Sequence, residues 1–489
     1  MRDRAATLYL MTFYFYDLET SSGTPRSGRI MQFAGQRTNE DMEPIGKPDN
    51  ILVKLSDDFL PEPDAVLVHG ITPQKANDEG ITEAELASYF NEQIATPGTV
   101  FIGYNNLRFD DEFIRYLNYR TFHDPYQWHW KDDRSRWDLL DPMRMMRALR
   151  PEGLKWPELA GKPTVKLELM AKENGLLHEN AHDALSDVQA LIQLASAFKK
   201  SQPKLFEFLM GIRGKKEVAK LIESSEPFVY TSGRYDNEYL KTAVVKSLIK
   251  HPRRDAAIVY DLRHDPREWL EKTPEELVRH WNVRYGDDTK RLPVKTVQYN
   301  HCPAVAPLSV LDDESKKRIG YSEKFMEHAE TLQNNAAFIK NVEKALDIIE
   351  NEQQARLPLT SHVDAQLYDG FWEPAEQSLL AEVRHAPAED VMKLAEKMKS
   401  KRMRSLLPLY KARNYPKALT SEERIGWENY RRKQLLGGGE ASKAAKFYSR
   451  MQTIAKDRTL TSDQEYLLNE LQLYVESILP EPEDSQLTE

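Results

Sequence analysis

The stretch FYFYDLET, ending at Thr20, sets five apolar or aromatic side chains in a run that only a buried strand satisfies, yet it closes on Asp17 and Glu19. A strand points residues two apart to the same face, so these two carboxylates project together with their Cα atoms roughly 7 Å apart. Where their oxygens approach to about 4 Å, two ionised carboxylates repel by about 4 kcal/mol at an effective dielectric near 20, unless a proton or a cation stands between them. A divalent metal is the simplest resolution. Asp-x-Glu is a short pattern that also arises by chance, so the remainder of the chain must supply partners.

With 489 residues the chain is far above the ~150 of a typical domain, which predicts about three domains and large cores. No run of ~18 apolar residues suggests a membrane span. The opening MRDRAATLYLMTFYFYD lacks the apolar core and small-residue site of a signal peptide, so cytoplasmic residence is expected. Cys302 is the single cysteine, which excludes an intramolecular disulfide and argues against a thiolate zinc site. A net charge of −9 looks wrong for a nucleic-acid binder, but binding depends on local patches. RMMRALR, RGKKEVAK, KMKSKRMR and YRRKQ are such patches, and each also reads as a solvated helix face.

Short strands alternate with helices from Thr12 to about Phe198, as in an α/β domain. TFYFYDLE, IMQFAGQRT and TVFIGYN read as strands; DDEFIRYLNYR, LLDPMRMMRALR, KLELMAKENG and DALSDVQALIQLASAFKK read as helices. A second region contains the strand-like AAIVYDL and VKTVQYN, followed by one helical segment, EKFMEHAETLQNNAAFIKNVEKALDIIENEQQ. Beyond the linker-like ARLPLTSH the chain is almost wholly helical, with breaks at YDGF, NYPK and LLGGGE. The expected division is 10–200, 203–355 and 360–480, with an acidic tail over 481–489 that reads as a frayed end.

Two further features join the opening pair. NNLRFDDEF places Asp110 and Asp111 after a strand and at a helix start, where acidic residues also serve the helix dipole. NAHDALSD puts His182 five residues before Asp187, about 140° apart on one continuous helix. Both face one site only if His182 precedes the helix or lies in its first turn, with Asp183 as N-cap. His182 then reads as a loop-borne base beside a helix-anchored Asp187.

In this order, DLET, NNLRFD and HDALSD resemble the DEDD exonuclease superfamily in its histidine subtype. DAVLVHGITPQKA, GYNNLRFDDE, DPYQWHW, SRWDLLD, RPEGLKWPE, DAQLYDGFW and YKARNYP extend the similarity, over nearly the whole chain, to the bacterial exonuclease I family of single-strand-specific 3′→5′ deoxyribonucleases. The resemblance implies an RNase H-like α/β exonuclease domain, an SH3-like β-rich domain and a C-terminal all-helical domain that together close a channel. It makes Asp17, Glu19 and Asp187 metal ligands, Asp110 an outer ligand and His182 the base that takes a proton from the attacking water. Two Mg²⁺ ions, with Mn²⁺ as a substitute, are the implied cofactors, and carboxylates suit such hard cations. Glu19, Thr20 and Lys166 are implied at the terminal nucleotide; Arg115, Tyr126, Trp130 and Arg144 along the strand; and Arg213, Lys215, Asp255, Asn300 and His301 along the channel. The family often has arginine where Lys166 stands, and lysine keeps the charge while losing the bidentate fork. The implied partners are single-stranded DNA with a free 3′ end and the acidic tail of single-stranded-DNA-binding protein, with the enzyme a monomer acting in DNA repair and recombination.

Overall fold

The computed structural model describes residues 11–176, 183–224, 226–281, 283, 287–356, 362–457 and 459–481. The opening run forms the middle of a five-stranded sheet. Its strands are β1 (Thr12–Thr20), β2 (Ile30–Thr38), β3 (Asp49–Leu52), β4 (Thr99–Gly103) and β5 (Ser135–Asp138), in spatial order β3-β2-β1-β4-β5. β1 runs antiparallel to β2, with Asp17 opposite Ala34 and Glu19 opposite Gln32, and parallel to β4.

Being central, β1 is covered on both faces. Tyr14, Tyr16 and Leu18 pack with Phe33, Phe90, Phe101 and Trp128 on one side. Phe13 and Phe15 pack on the other with Val188, Leu191 and Phe198 of the helix Ala184–Ser201. Strand alternation then sends Asp17 and Glu19 to the helix-bearing face, where the apolar layer gives out. The ladder slips between Glu19 and Thr20, a bulge that ends regular pairing at the acidic end.

Residues beyond 213 build a second, wholly antiparallel five-stranded sheet in the spatial order Val294–Gln298, Ala256–Asp261, Thr242–Lys250, Phe228–Thr231, Ala304–Pro307. The segment expected as one helix after it is two, Lys324–Gln333 and Ala336–Arg356. Asn335 causes the break: its side-chain oxygen accepts the Phe338 N–H at 2.8 Å and caps a new helix start.

The last region is helical, with its longer helices at Pro374–His385, Lys401–Asn414, Ser421–Leu436, Lys443–Ala455 and Ser462–Ile478. It returns to the first domain at two apolar contacts. Tyr119 and Phe122 pack among Leu380, Val383 and Leu407, and Val66 and Ile71 pack among Phe447, Leu471 and Val475. Between these lies a buried ionic group. Asp364 accepts from Arg29 and from Arg413 at 2.8 Å each, Arg413 also meets Asp58 at 2.7 Å, and Glu83 binds Arg120. No helix among the described residues is long and apolar enough to cross a membrane.

Candidate active site

Three side chains converge where β1 ends. Asp17, Glu19 and Asp187 each offer an oxygen, and these oxygens lie within 4.8 Å of one another. Asp187 arrives from the first turn of the Ala184–Ser201 helix, one residue before Val188, which buries in the core. That helix start is fixed by Asp183, the expected N-cap. One Asp183 oxygen accepts the Ser186 N–H at 3.1 Å, and the other accepts from Gln32 on β2 at 3.1 Å. His182, the residue before it, lies outside the described residues.

Asp110 begins the helix Asp110–Arg120 and is buried, as is Asp111 beside it, and the two are handled differently. Arg136 of β5 pairs with Asp111, Tyr16 of β1 donates to it, and Asn106 Nδ2 donates to it at 3.2 Å. Among the described residues Asp110 has no cation in ion-pair contact. Gly103 permits this turn, because a Cβ there would stand 2.5 Å from the Asn106 side chain. Asp111 is therefore a structural strut, and Asp110 is the carboxylate left for the site.

The electrostatics report the crowding. Burial, then the charges of Asp110 and Asp187, hold the Asp17 carboxyl well above the usual range. Burial, then Asp17, Asp187 and Asp183, push Glu19 up to about 9. Asp110 is raised by burial and by Asp111. Three carboxylates whose oxygens lie within 4.8 Å of one another resist ionising together, and a set that offers only carboxylate oxygens fits a hard divalent metal. Asp17 and Asp187 also line a cavity of about 430 Å³ whose other walls include Arg144, Lys166 and Tyr104. An anionic ligand in it meets two cations beside the acids.

Comparison with known proteins agrees over most of the chain. Family models described as Exonuclease, Exonuclease I SH3-like domain and Exonuclease I C-terminal domain match residues 14–195, 213–347 and 361–478. Exodeoxyribonuclease I of Haemophilus influenzae is 37% identical over 471 residues, 95% of this chain and 98% of the relative. The chain belongs to the exonuclease I family. Exodeoxyribonuclease I of Escherichia coli is 39% identical over 433 residues, 86% of this chain and 89% of the relative. The crystal structure of E. coli exonuclease I with a dA16 oligonucleotide superposes with a TM-score of 0.91 at 36% identity, over 96% of this chain and 100% of that one. A zinc-bound E. coli exonuclease I–single-stranded DNA complex gives 0.88 at 35% identity, over 96% and 99%. The three-part architecture expected from the sequence is thus that of the exonuclease I family.

Against that family frame the other expected site residues fall into groups. Thr20 is buried and its hydroxyl donates to the Ser22 carbonyl at 3.0 Å, which fixes the turn beside Glu19. Lys166 stands at the N-terminus of the helix Leu167–Glu173, inside the cavity with Arg144. Arg115 pairs with Glu112, lies 5.6 Å from the Tyr126 ring centre and reaches the Tyr368 hydroxyl at 3.3 Å. Trp130 is 59% exposed, whereas neighbouring Trp128 is 1% exposed and belongs to the core.

The accessory residues are more engaged than the sequence suggests. Lys215 and Asp255 form an ion pair with each other at 2.5 Å. Arg213 donates to Ser135 Oγ at 3.1 Å and to the Met210 carbonyl, tying the second region to β5. The Asn300 carbonyl accepts from Arg136 at 3.3 Å. His301 is pulled down to about 4 by burial and by Arg136, Arg115 and Arg108. Arg136 and Arg108 escaped the sequence reading because nothing in SRWD or NLRF marks an arginine that a distant strand will bury or leave free.

Proposed function

We propose that this chain is an exodeoxyribonuclease that degrades single-stranded DNA processively from the 3′ end, releasing 5′-mononucleotides, in DNA repair and recombination. The observation that carries the reading is the group of three carboxylates, two of which, Asp17 and Asp187, line a cavity that also holds Lys166 and Arg144. Asp17, Glu19 and Asp187 would hold divalent metal with Asp110 behind them, as two Mg²⁺ ions that Mn²⁺ can replace. When bound, the metal neutralises charge developing on the phosphate and stabilises the attacking and leaving oxygens.

The chain's own residues do the rest. His182 takes the proton from the attacking water, a task suited to a group titrating near neutrality. Glu19, Thr20 and Lys166 lie at the terminal nucleotide, where Lys166 offers its charge to a phosphate, and Arg144 tracks the strand beside them. Tyr126 and Trp130 stack bases without reading sequence, and Arg115, 5.6 Å from the Tyr126 ring centre, tracks the strand beside them. Arg213, Lys215, Asp255, Asn300 and His301 line the accessory wall of the channel. The E. coli relative's structure with a dA16 oligonucleotide supports the substrate class. The enzyme works as a cytoplasmic monomer, over domains 10–200, 203–355 and 360–480, and meets the acidic tail of single-stranded-DNA-binding protein.

Digestion of a 5′-labelled single-stranded DNA with Mg²⁺, beside a 3′-blocked strand and a duplex, tests this reading. A ladder shortening from the free 3′ end of the single strand alone is expected; internal cuts or digestion of the blocked strand would overturn it.

A further inference from the structure

The acids of the site are crowded by one another, and a few residues away the cations are crowded too. Arg144, on the helix Leu140–Leu149, pairs with Asp141 at 2.6 Å and lines the cavity together with Lys166. That helix packs against the strands Phe228–Thr231 and Thr242–Lys250 of the second sheet. In the loop between those strands Gly233 lies directly on Arg144, where a Cβ would stand 2.8 Å from Nη1. The accessory domain thus touches a wall of the nuclease cavity.

This loop ends on two consecutive non-glycine residues in left-handed backbone, Leu240 at φ 50° and Lys241 at φ 60°. Such a conformation is unfavourable for any residue with a Cβ, and glycine is its natural occupant. The conformation is held by the Lys241 N–H on the Asp236 carbonyl at 3.0 Å and the Ser232 N–H on the Lys241 carbonyl at 2.9 Å. Leu240 is accounted for by packing, since its side chain lies against the main core. Lys241 has no such account. The backbone sets it beside Arg144, since its carbonyl accepts from Ser232, the neighbour of the Gly233 that lies on that guanidinium, and burial together with the charges of Arg144 and Lys162 lowers its pKa. Asp236 offsets this only in part, and among the described residues Lys162, Lys166 and Lys241 make no ion pair. Strained backbone that delivers an unpaired cation to other cations beside a cavity is the arrangement expected where a polyanion completes the balance.

We propose that Lys241 is a phosphate-holding residue contributed by the accessory domain, gripping the DNA backbone beside Arg144 as the 3′ end enters the cavity. This rests on the reading of the cavity as the seat of the strand's terminus. It gives the second domain a part in substrate positioning as well as in forming a wall.

The test uses the full chain and its variants K241Q, K241G and K241R, with steady-state digestion of labelled single-stranded DNA from low to moderate salt. K241Q is expected to raise KM about threefold with kcat unchanged, and to make the slope of log kcat/KM against log salt shallower by about 0.7, the share of one phosphate contact on a single strand. K241R restores the slope. K241G separates binding from folding: glycine suits φ 60°, so its thermal midpoint equals or exceeds wild type while its salt slope falls with that of K241Q. Wild-type slopes and KM in both K241Q and K241G, with the wild-type enzyme active, would overturn the inference and leave the active-site reading intact. Absence of metal-dependent digestion by the wild-type enzyme would overturn both.

Discussion

Replacing Glu19 by glutamine should make the metal-free protein more stable at neutral pH, although it removes a residue of the site. Glu19 rises from 4.5 to about 9 on folding, first by burial and then by Asp17, Asp187 and Asp183. Between those values the folded protein keeps a proton that the unfolded chain has released. Stability therefore falls as pH rises through the window, by up to about 1.4 kcal/mol per pH unit from this group. From about pH 5.5 to about pH 7.5 the loss is on the order of 2 to 3 kcal/mol, and Asp17, raised by the same surroundings, adds in the same direction. The Coulomb scale agrees, since oxygens within 4.8 Å of one another repel by roughly 3 to 4 kcal/mol per ionised pair at an effective dielectric near 20. Urea midpoints in EDTA at the two pH values read the effect. Wild type should lose stability on going to the higher pH and E19Q should lose much less, whereas added Mg²⁺ should restore wild type and leave E19Q nearly unmoved. An E19Q protein less stable than wild type at the higher pH in EDTA, with an equal or steeper pH slope, would refute the reasoning.

Asp364→Ala leaves Arg29 and Arg413 buried without their shared carboxylate, and a loss of about 3 to 5 kcal/mol is expected in the urea denaturation of the full chain; a change below 1 kcal/mol would show that water already shares the site. Trp130→Ala should weaken single-stranded DNA binding by about 1 to 3 kcal/mol, roughly 5- to 150-fold, without lowering the melting temperature, because that ring is exposed. Trp128→Ala, by contrast, should cost roughly 3 to 5 kcal/mol of stability, and equal effects of the two on melting would contradict the assignment. His182→Ala should lower turnover by about 10² to 10⁴ and leave DNA affinity within twofold; a large affinity loss with normal turnover of bound DNA would remove it from the chemistry.

Much of the site was legible because its signals are local. FYFYDLET carries its own alternation, NAHDALSD its own cap, and GYNNLRFDD its own turn, so Asp17, Glu19, Asp110 and Asp187 could be named from spacing and the family resemblance. What spacing cannot reveal is a partner hundreds of residues away. Arg29 meets Asp364 across 335 residues of sequence, and no pattern around either announces it. The same blindness left Lys215 and Asp255 as separate candidates when they pair with each other, and left Arg136 unnoticed although it decides which of Asp110 and Asp111 is free. Among the basic runs, Arg402 of KMKSKRMR lies 4.2 Å from the Trp372 ring centre and Arg431 of YRRKQ is buried against Asp57, so these arginines serve packing. The strands of the second sheet were partly missed because TAVVKSLIK and AVAP are short apolar runs with no periodicity to separate strand from buried helix. For the same long-range reason, deleting the helical region after residue 355 is not a clean test of processivity, since it would strip Arg29, Asp58 and Tyr119 of buried partners.

In the function proposed above, the acidic end of β1 mounts metal for hydrolysis at the 3′ end of single-stranded DNA. This role is tested most directly by digesting an end-labelled DNA oligomer, beside matched RNA, with the wild-type chain and with Asp17→Asn, in Mg²⁺ and in EDTA. Stepwise release of mononucleotides from DNA by the wild-type chain in Mg²⁺, abolished both by EDTA and by D17N while D17N still binds the strand, is the predicted result. Equal digestion in EDTA, or D17N cutting at the wild-type rate, would contradict it.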